Sequence, residues 1–204
     1  MFFDYLGIEL TFKCTKVTMR QDDLMKKIFK TTKWEELNGD KTPAREKPIG
    51  ADLEGKPFQV EWEYASVVGM LMFLVNTRPD IQFAVHQCVR FTHSPKHSHM
   101  LVVKRVIRYL KHTQEEGKDR GLAFEIGGNK IPKIECYLDA EFAGKWNVEN
   151  NKDPVSSKSR TGFVIFVGNC PVIWKSKLQG ETALSFPSCW VCFKYLMTLL
   201  TASM

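Results

Sequence analysis

The chain has 204 residues, 44% of them hydrophobic and 25% charged, which excludes a disordered or low-complexity polymer and leaves enough chain for a buried core in one or two domains. A net charge of +6 tilts moderately toward polyanionic partners. The six cysteines (Cys14, Cys88, Cys136, Cys170, Cys189, Cys192) are scattered and lie mostly in apolar runs, so reduced, buried thiols are expected rather than a disulfide framework. Met1-Phe2-Phe3 is followed at once by Asp4, without the basic and apolar regions of a secretory signal. The apolar tail from Trp190 to Met204 is shorter than the roughly 20 residues that span a bilayer and is interrupted by Lys194. The expectation is an intracellular protein, of cytoplasm or nucleus, with no membrane partner.

In chain order, residues 2–10 read as a strand rich in β-formers, with Gly7 as a bulge or close-approach site. A second strand is expected around Val17 and Met19. Asp22 or Asp23 then caps a helix to about Thr32, with Leu24, Met25, Ile28 and Phe29 inward and Lys26, Lys27 and Lys30 outward. Residues 38–59, punctuated by Asn38-Gly39, Pro43, Pro48, Gly50, Gly55 and Pro57, read as a loop. Helices follow from Glu61 to Asn76, from Pro79 or Asp80 to about Thr92, and beyond Ser94-Pro95, and such short turns predict that the three pack as one unit. Strands are then expected at 121–126, Ile134–Asp139, Thr161–Val167 and Pro171–Ser176. Gly168-Asn169 makes a hairpin turn, and the polar residues 145–159 make a loop.

The helix after Pro95 separates its residues by chemistry. At about 100° per residue, Val103, Val106, Ile107 and Leu110 fall on one side, and Lys104, Arg105, Arg108, Lys111 and His112 on the opposite arc. An apolar stripe docked on a core leaves a basic face free, and guanidinium and ammonium groups on one face suit phosphate contacts. The plainer alternative is a solvated charged face over a buried stripe. His93, His97 and His99 lie close together, but Pro95 breaks their register and no cysteine pair is near, which argues against a metal site. Cys189-x-x-Cys192 is a single pair without a second half. Asp139 closes an apolar strand two residues before Glu141. A carboxylate there can hold Mg²⁺ when others join it, and alone is a strand-terminating acid.

Several blocks follow one another in a telling order: Leu6-Gly7-Ile8-Glu9, Tyr64-Ala65-Ser66-Val67-Val68-Gly69-Met70-Leu71, Asn76-Thr77-Arg78-Pro79-Asp80-Ile81, and Arg90-Phe91 with Ser94-Pro95. After them come Lys104-Arg105-Val106-Ile107-Arg108-Tyr109-Leu110-Lys111, Tyr137-Leu138-Asp139-Ala140-Glu141-Phe142-Ala143-Gly144, Ser157-Lys158-Ser159-Arg160-Thr161-Gly162-Phe163, and Pro171-Val172-Ile173-Trp174-Lys175-Ser176-Lys177 before Ala183-Leu184-Ser185. In order and spacing, from Phe3 to Ser185, they resemble the Pol polyprotein of copia-type long-terminal-repeat retrotransposons.

The resemblance implies an α+β chain. Residues 1–120 would be the C-terminal part of a reverse transcriptase, from primer-grip strands into thumb- and connection-like helices. Residues 121–185 would be a truncated ribonuclease H-like mixed sheet, and 186–204 a divergent apolar tail. It implies Mg²⁺ as cofactor and an RNA–DNA hybrid or other nucleic acid as partner, held through Lys104, Arg105, Arg108 and Lys111. Two departures matter. The family's polymerase carboxylates lie in a Tyr-x-Asp-Asp motif upstream of the point matched by Met1. The first ribonuclease H aspartate maps on Asp139, but the Glu-bearing stretch expected after Ser185 is replaced by Phe186-Pro187-Ser188-Cys189-Trp190-Val191-Cys192, and no Asp or Glu follows Glu181. The expectation is a catalytically incomplete fragment that keeps nucleic-acid binding. The alternatives are a structural or protein-interaction remnant, and a hydrolase completed by another Pol-like chain.

Overall fold

In the computed structural model, residues 1–34, 38–45, 49–115, 121–125, 133–141 and 158–179 are described. The chain divides into two compact units, Met1–Ile131 and Pro132–Met204. Among the described residues it is α+β, with four α-helices and two antiparallel sheets.

The first unit opens with a hairpin of β1 (Phe2–Tyr5) and β2 (Ile8–Lys13). The single strand expected over residues 2–10 is therefore two. Leu6 (φ 53°) and Gly7 (φ 77°) both lie in the left-handed region, the pattern of a two-residue loop whose twist matches its flanking strands. Asp4 Oδ1 accepts the Gly7 N–H at 3.2 Å and tightens the loop. Strand β3 (Lys16–Arg20) pairs with β2, and β4 (Leu122–Glu125) returns to pair with β3. This strand, expected to belong with residues 121–185, completes the first unit instead. The register places Leu10 opposite Met19 and Met19 opposite Leu122, and likewise Phe12, Val17 and Phe124 in a row. Since facing residues share a side, one face of the sheet is an apolar band.

Helix α1 (Asp22–Thr32) starts from Gln21 and not from an aspartate cap. Asp22 and Asp23 lie in the first turn, where negative charge offsets the helix dipole. Met25, Ile28 and Phe29 are buried and Leu24 is partly so. Helix α2 (Tyr64–Leu74) is shorter than the expected span from Glu61 to Asn76; it buries Tyr64, Val67, Val68, Leu71 and Leu74. A 3₁₀ turn (Pro79–Ile81) leads into α3 (Gln82–Val89), and α4 (His97–Glu115) follows. The four helices share one core in which Ile28, Val67, Leu71, Leu74, Ile81, Val85, Val103, Val106, Ile107 and Leu110 are fully sealed from water. At about 1.5–3 kcal/mol for each such side chain, this core dominates the stability of the unit. Residues 38–45 and 49–59 contain no helix or strand, apart from an isolated bridge between Pro57 and Lys96.

The second unit holds β5 (Ile134–Glu141), β6 (Arg160–Val167) and β7 (Cys170–Leu178), in that order and wholly antiparallel among the described residues. The expected mixed sheet is not shown by the described residues, which contain no parallel pair. Gly168 (φ 62°) and Asn169 turn the chain between β6 and β7. Pro171 sits in β7, an edge strand, beside a bulge at Ile165/Phe166 where a missing N–H is tolerated. The tail 186–204 and most of the loop 145–159 lie outside the described residues. Of the four described cysteines, Cys88 and Cys170 are buried, whereas Cys14 and Cys136 are exposed, against the expectation for apolar runs.

Candidate nucleic-acid interface

Helix α4 is positioned by its own sequence and by two loops. Pro95 ends the preceding turn, and the His99 imidazole takes up the first free amide of the new helix: Nδ1 accepts the Lys96 N–H at 2.9 Å. Its Nε2 lies 3.1 Å from the Gly50 carbonyl, so Nε2 carries the proton. The ring stacks on Phe91 at 4.0 Å and is buried, which pushes its pKa down. His97 N–H donates to the Lys56 carbonyl at 2.9 Å, and Ser98 Oγ to Asp52 Oδ2. His93 and His97 are exposed, so the three histidines do not converge.

The apolar stripe behaves as expected: Val103, Val106, Ile107 and Leu110 are fully buried. The opposite arc is half-buried, because residues 38–44 lie across it. Asp40 places Oδ1 at 3.2 Å from Arg105 Nη2 and Oδ2 at 4.0 Å from Arg108 Nη1. Arg105 donates to the Thr42 carbonyl (3.2 Å) and Thr42 Oγ1 (2.7 Å), and Arg108 Nε donates to the Asn38 carbonyl at 2.7 Å. The Asp40 N–H returns a bond to the Arg108 carbonyl at 3.2 Å. Gly39 packs so closely on His112 that an added Cβ would lie 2.6 Å from the His112 Cβ. Lys104 Nζ sits 5.5 Å from the Trp34 ring centroid, a cation–π contact. Lys111 is half-buried. The structure therefore gathers Lys104, Arg105, Arg108 and Lys111 on one face, but that face is strapped and not bare. Asp40, Thr42 and Trp34 are the partners that sequence reasoning missed. Asp40 and Thr42 lie 63–68 residues from the arginines and Trp34 lies just past the end of α1, and no local pattern signals such contacts.

Asp139 lies on β5 opposite Gly162 of β6 and is exposed. The strand runs on to Glu141, so Asp139 does not terminate it. Mg²⁺ favours several oxygen ligands at octahedral positions. No group of three or more His, Cys, Asp or Glu able to hold a metal occurs among the described residues. Among the described residues, therefore, no set of ligands that a Mg²⁺ site needs gathers at Asp139. Among the described residues no helix is long and apolar enough to cross a membrane.

Comparison with known proteins bears directly on the origin of this layout. The chain is 30% identical over 175 residues to the retrovirus-related Pol polyprotein from transposon RE1 of Arabidopsis thaliana, covering 86% of the chain and 11% of that protein. It is 35% identical over 117 residues to the Pol polyprotein from transposon RE2 of the same plant, covering 57% of the chain and 7% of that protein. The chain belongs to the copia-type retrotransposon Pol family. It spans about a tenth of the length of these Pol relatives. It is also 37% identical over 123 residues to secreted RxLR effector protein 161 of Plasmopara viticola, covering 60% of the chain and 77% of that protein. No family model and no solved structure matches the chain.

The blocks that carry the Pol likeness are mostly structural. Leu6-Gly7 is the β1–β2 turn, and residues 64–71 open helix α2 and bury Tyr64, Val67, Val68 and Leu71. In the Asn76–Ile81 block of this Pol segment, Arg78 donates from Nε and Nη2 to the two oxygens of Asp80 at 2.9 and 2.8 Å, and from Nη2 to Thr113 Oγ1 at 3.2 Å. Tyr109 OH donates to Asp80 Oδ2 at 2.8 Å, and Thr77 Oγ1 to Gln21 Oε1 at 2.9 Å. The block thereby ties α3 to α4 and to the start of α1. Tyr64 OH donates to the Cys88 carbonyl at 3.1 Å; burial pushes the phenol's pKa up and the Cys88 thiol up to about 12, so both stay neutral.

Proposed function

We propose that this Pol segment corresponds to the end of a reverse transcriptase and the beginning of a ribonuclease H domain, that it is catalytically incomplete, and that it binds nucleic acid through α4. The observation that carries the reading is the two-sidedness of α4: a fully buried apolar stripe fixes the helix, and Lys104, Arg105, Arg108 and Lys111 lie together on the other side. Cations held at fixed spacing on a rigid helix suit phosphate oxygens and carry no base preference, as a hybrid-holding surface requires. Asp139 in the second unit supports incompleteness, since two-metal hydrolysis needs several carboxylates about the cations.

The test is a purified sample of the 204-residue chain with an end-labelled RNA–DNA hybrid and Mg²⁺ over a salt series, run on native and denaturing gels. The expected result is a retarded band that fades as salt rises, with the RNA intact, and a weaker band for Lys104→Gln/Lys111→Gln. RNA cleavage lost in Asp139→Asn would overturn the incompleteness. Folded protein that gives no retarded band would overturn the binding.

A second reading, a protein-interaction remnant, is favoured by the aromatic hairpin: Phe2, Phe3, Tyr5 and Leu6 are all exposed, as is Phe73 beside Gly7. Apolar association of this kind persists or strengthens as salt rises, so the same series separates the two.

A further inference from the structure

Residues 38–45 carry one acid, Asp40, and it is set between two guanidiniums of α4. We propose that this segment is an autoinhibitory strap: Asp40 occupies the place between Arg105 and Arg108 that a backbone phosphate of nucleic acid takes when residues 38–44 lift away. The inference rests on the nucleic-acid reading of α4 and adds its regulation.

A carboxylate and a phosphodiester present the same thing to arginine, a pair of acceptor-only oxygens that match the guanidinium fork. Asp40 gives one oxygen to each arginine, as a bridging phosphate does. Its side chain is only 19% exposed, so while the strap is down no mobile anion reaches that position. Among the described residues, the polar holds on the strap are the bonds of Arg105 to Thr42, of Arg108 to the Asn38 carbonyl, and of the Asp40 amide to the Arg108 carbonyl, beside the packing of Ala44 on the core and of Gly39 on His112. The bonds from Arg105 and Arg108 lie at the protein surface, where single polar contacts hold weakly. The rest of the strap favours an incoming polyanion, since Lys41 and Arg45 are exposed and basic. A phosphate that displaces Asp40 therefore gains two guanidiniums and meets two further cations on the displaced segment. Gly39 supplies an independent handle, because its contact with His112 leaves no room for a Cβ.

Two single variants release the strap by different means: Asp40→Asn removes the charge and keeps the shape, and Gly39→Ala pries the segment off by bulk. Each is compared with the wild-type chain and with Asp40→Asn/Arg105→Gln/Arg108→Gln by fluorescence anisotropy on a labelled RNA–DNA hybrid in a salt series, with helical circular dichroism confirming the fold. The expected result is several-fold tighter binding by both single variants. The plot of log affinity against log salt should steepen by up to about two, one for each freed arginine, and the triple variant should lose the gain. Exchange of the Asp40 amide, slow in the free wild-type chain, should quicken when the hybrid is added. If the wild type and both single variants share one affinity and slope, while Arg105→Gln/Arg108→Gln weakens binding, the strap is no inhibitor and the proposal is overturned, though the binding reading stands. If no folded variant binds, the binding reading fails and takes the strap proposal with it.

Discussion

Arg78 is nearly sealed from water, with 6% of its side chain exposed, and among the described residues its charge is answered by Asp80. A buried ion pair adds little over an apolar pair, but breaking one strands a charge. Arg78→Ala is therefore expected to cost about 3 kcal/mol in urea unfolding, near the lower end of what such breakage does. Burial raises the Asp80 carboxyl, yet the bonds from Arg78 and Tyr109 outweigh it and hold the group below the usual carboxylate range. Because its folded pKa is depressed, the unfolded chain binds more protons in that window, and the stabilisation is full above about pH 4 and lost as the pH falls through the folded value. His99 has the same sign at higher pH: burial depresses it below 6.5, so its contribution is complete above that value and declines as acid protonates the ring. Urea midpoints followed downward from neutral pH should fall in two stages. The upper should flatten in His99→Gln and the lower in Asp80→Asn; a midpoint that holds level to pH 3 would contradict both assignments.

At the scale of elements, the β1–β2 turn carries a local conflict. Leu6 adopts a left-handed conformation that costs a side-chain-bearing residue roughly 1 kcal/mol and glycine almost nothing. Leu6→Gly should raise the thermal midpoint by a few degrees, an effect of about 1 kcal/mol spread over a small unit. A lowered midpoint would mean that the exposed leucine does more for the fold than its geometry costs. This turn also shows where sequence reading stops. Phe, Tyr and Ile on either side of Leu6-Gly7 all favour strand, and the loop lacks the Asn or Asp that usually marks such a turn, so one strand was the natural reading. Helices were far more legible, because Pro79 and Pro95 punctuate them and the 3.6-residue stripe of α4 points to its buried face without reference to anything distant. The same stripe left the basic arc empty, since helical periodicity records what one face buries and is silent about a loop some 60 residues earlier that packs on the other face.

For the molecule as a whole, the division at Ile131 depends on β4. The family resemblance places Leu122–Glu125 beyond the boundary at residue 120, with residues 121–185. Only the pairing of Val17 with Phe124 and of Met19 with Leu122 assigns the strand backward. A protein of residues 1–131 should thus unfold in a single cooperative step, whereas 1–120, deprived of β4, should lose stability, broaden its transition and self-associate through the bared edge of β3. Equal unfolding curves for the two would show that β4 is dispensable and the boundary misplaced.

That same return of the chain sets a clock. β3 and β4 are neighbours in space with roughly a hundred residues between them, and closing so long a loop is entropically expensive before any ladder bond forms. The helical core can assemble from short-range contacts as it emerges, but the sheet cannot be finished until the chain has been made past Glu125. In the interval β3 has one unpaired edge, and at a synthesis rate of about 5–20 residues per second that interval lasts seconds.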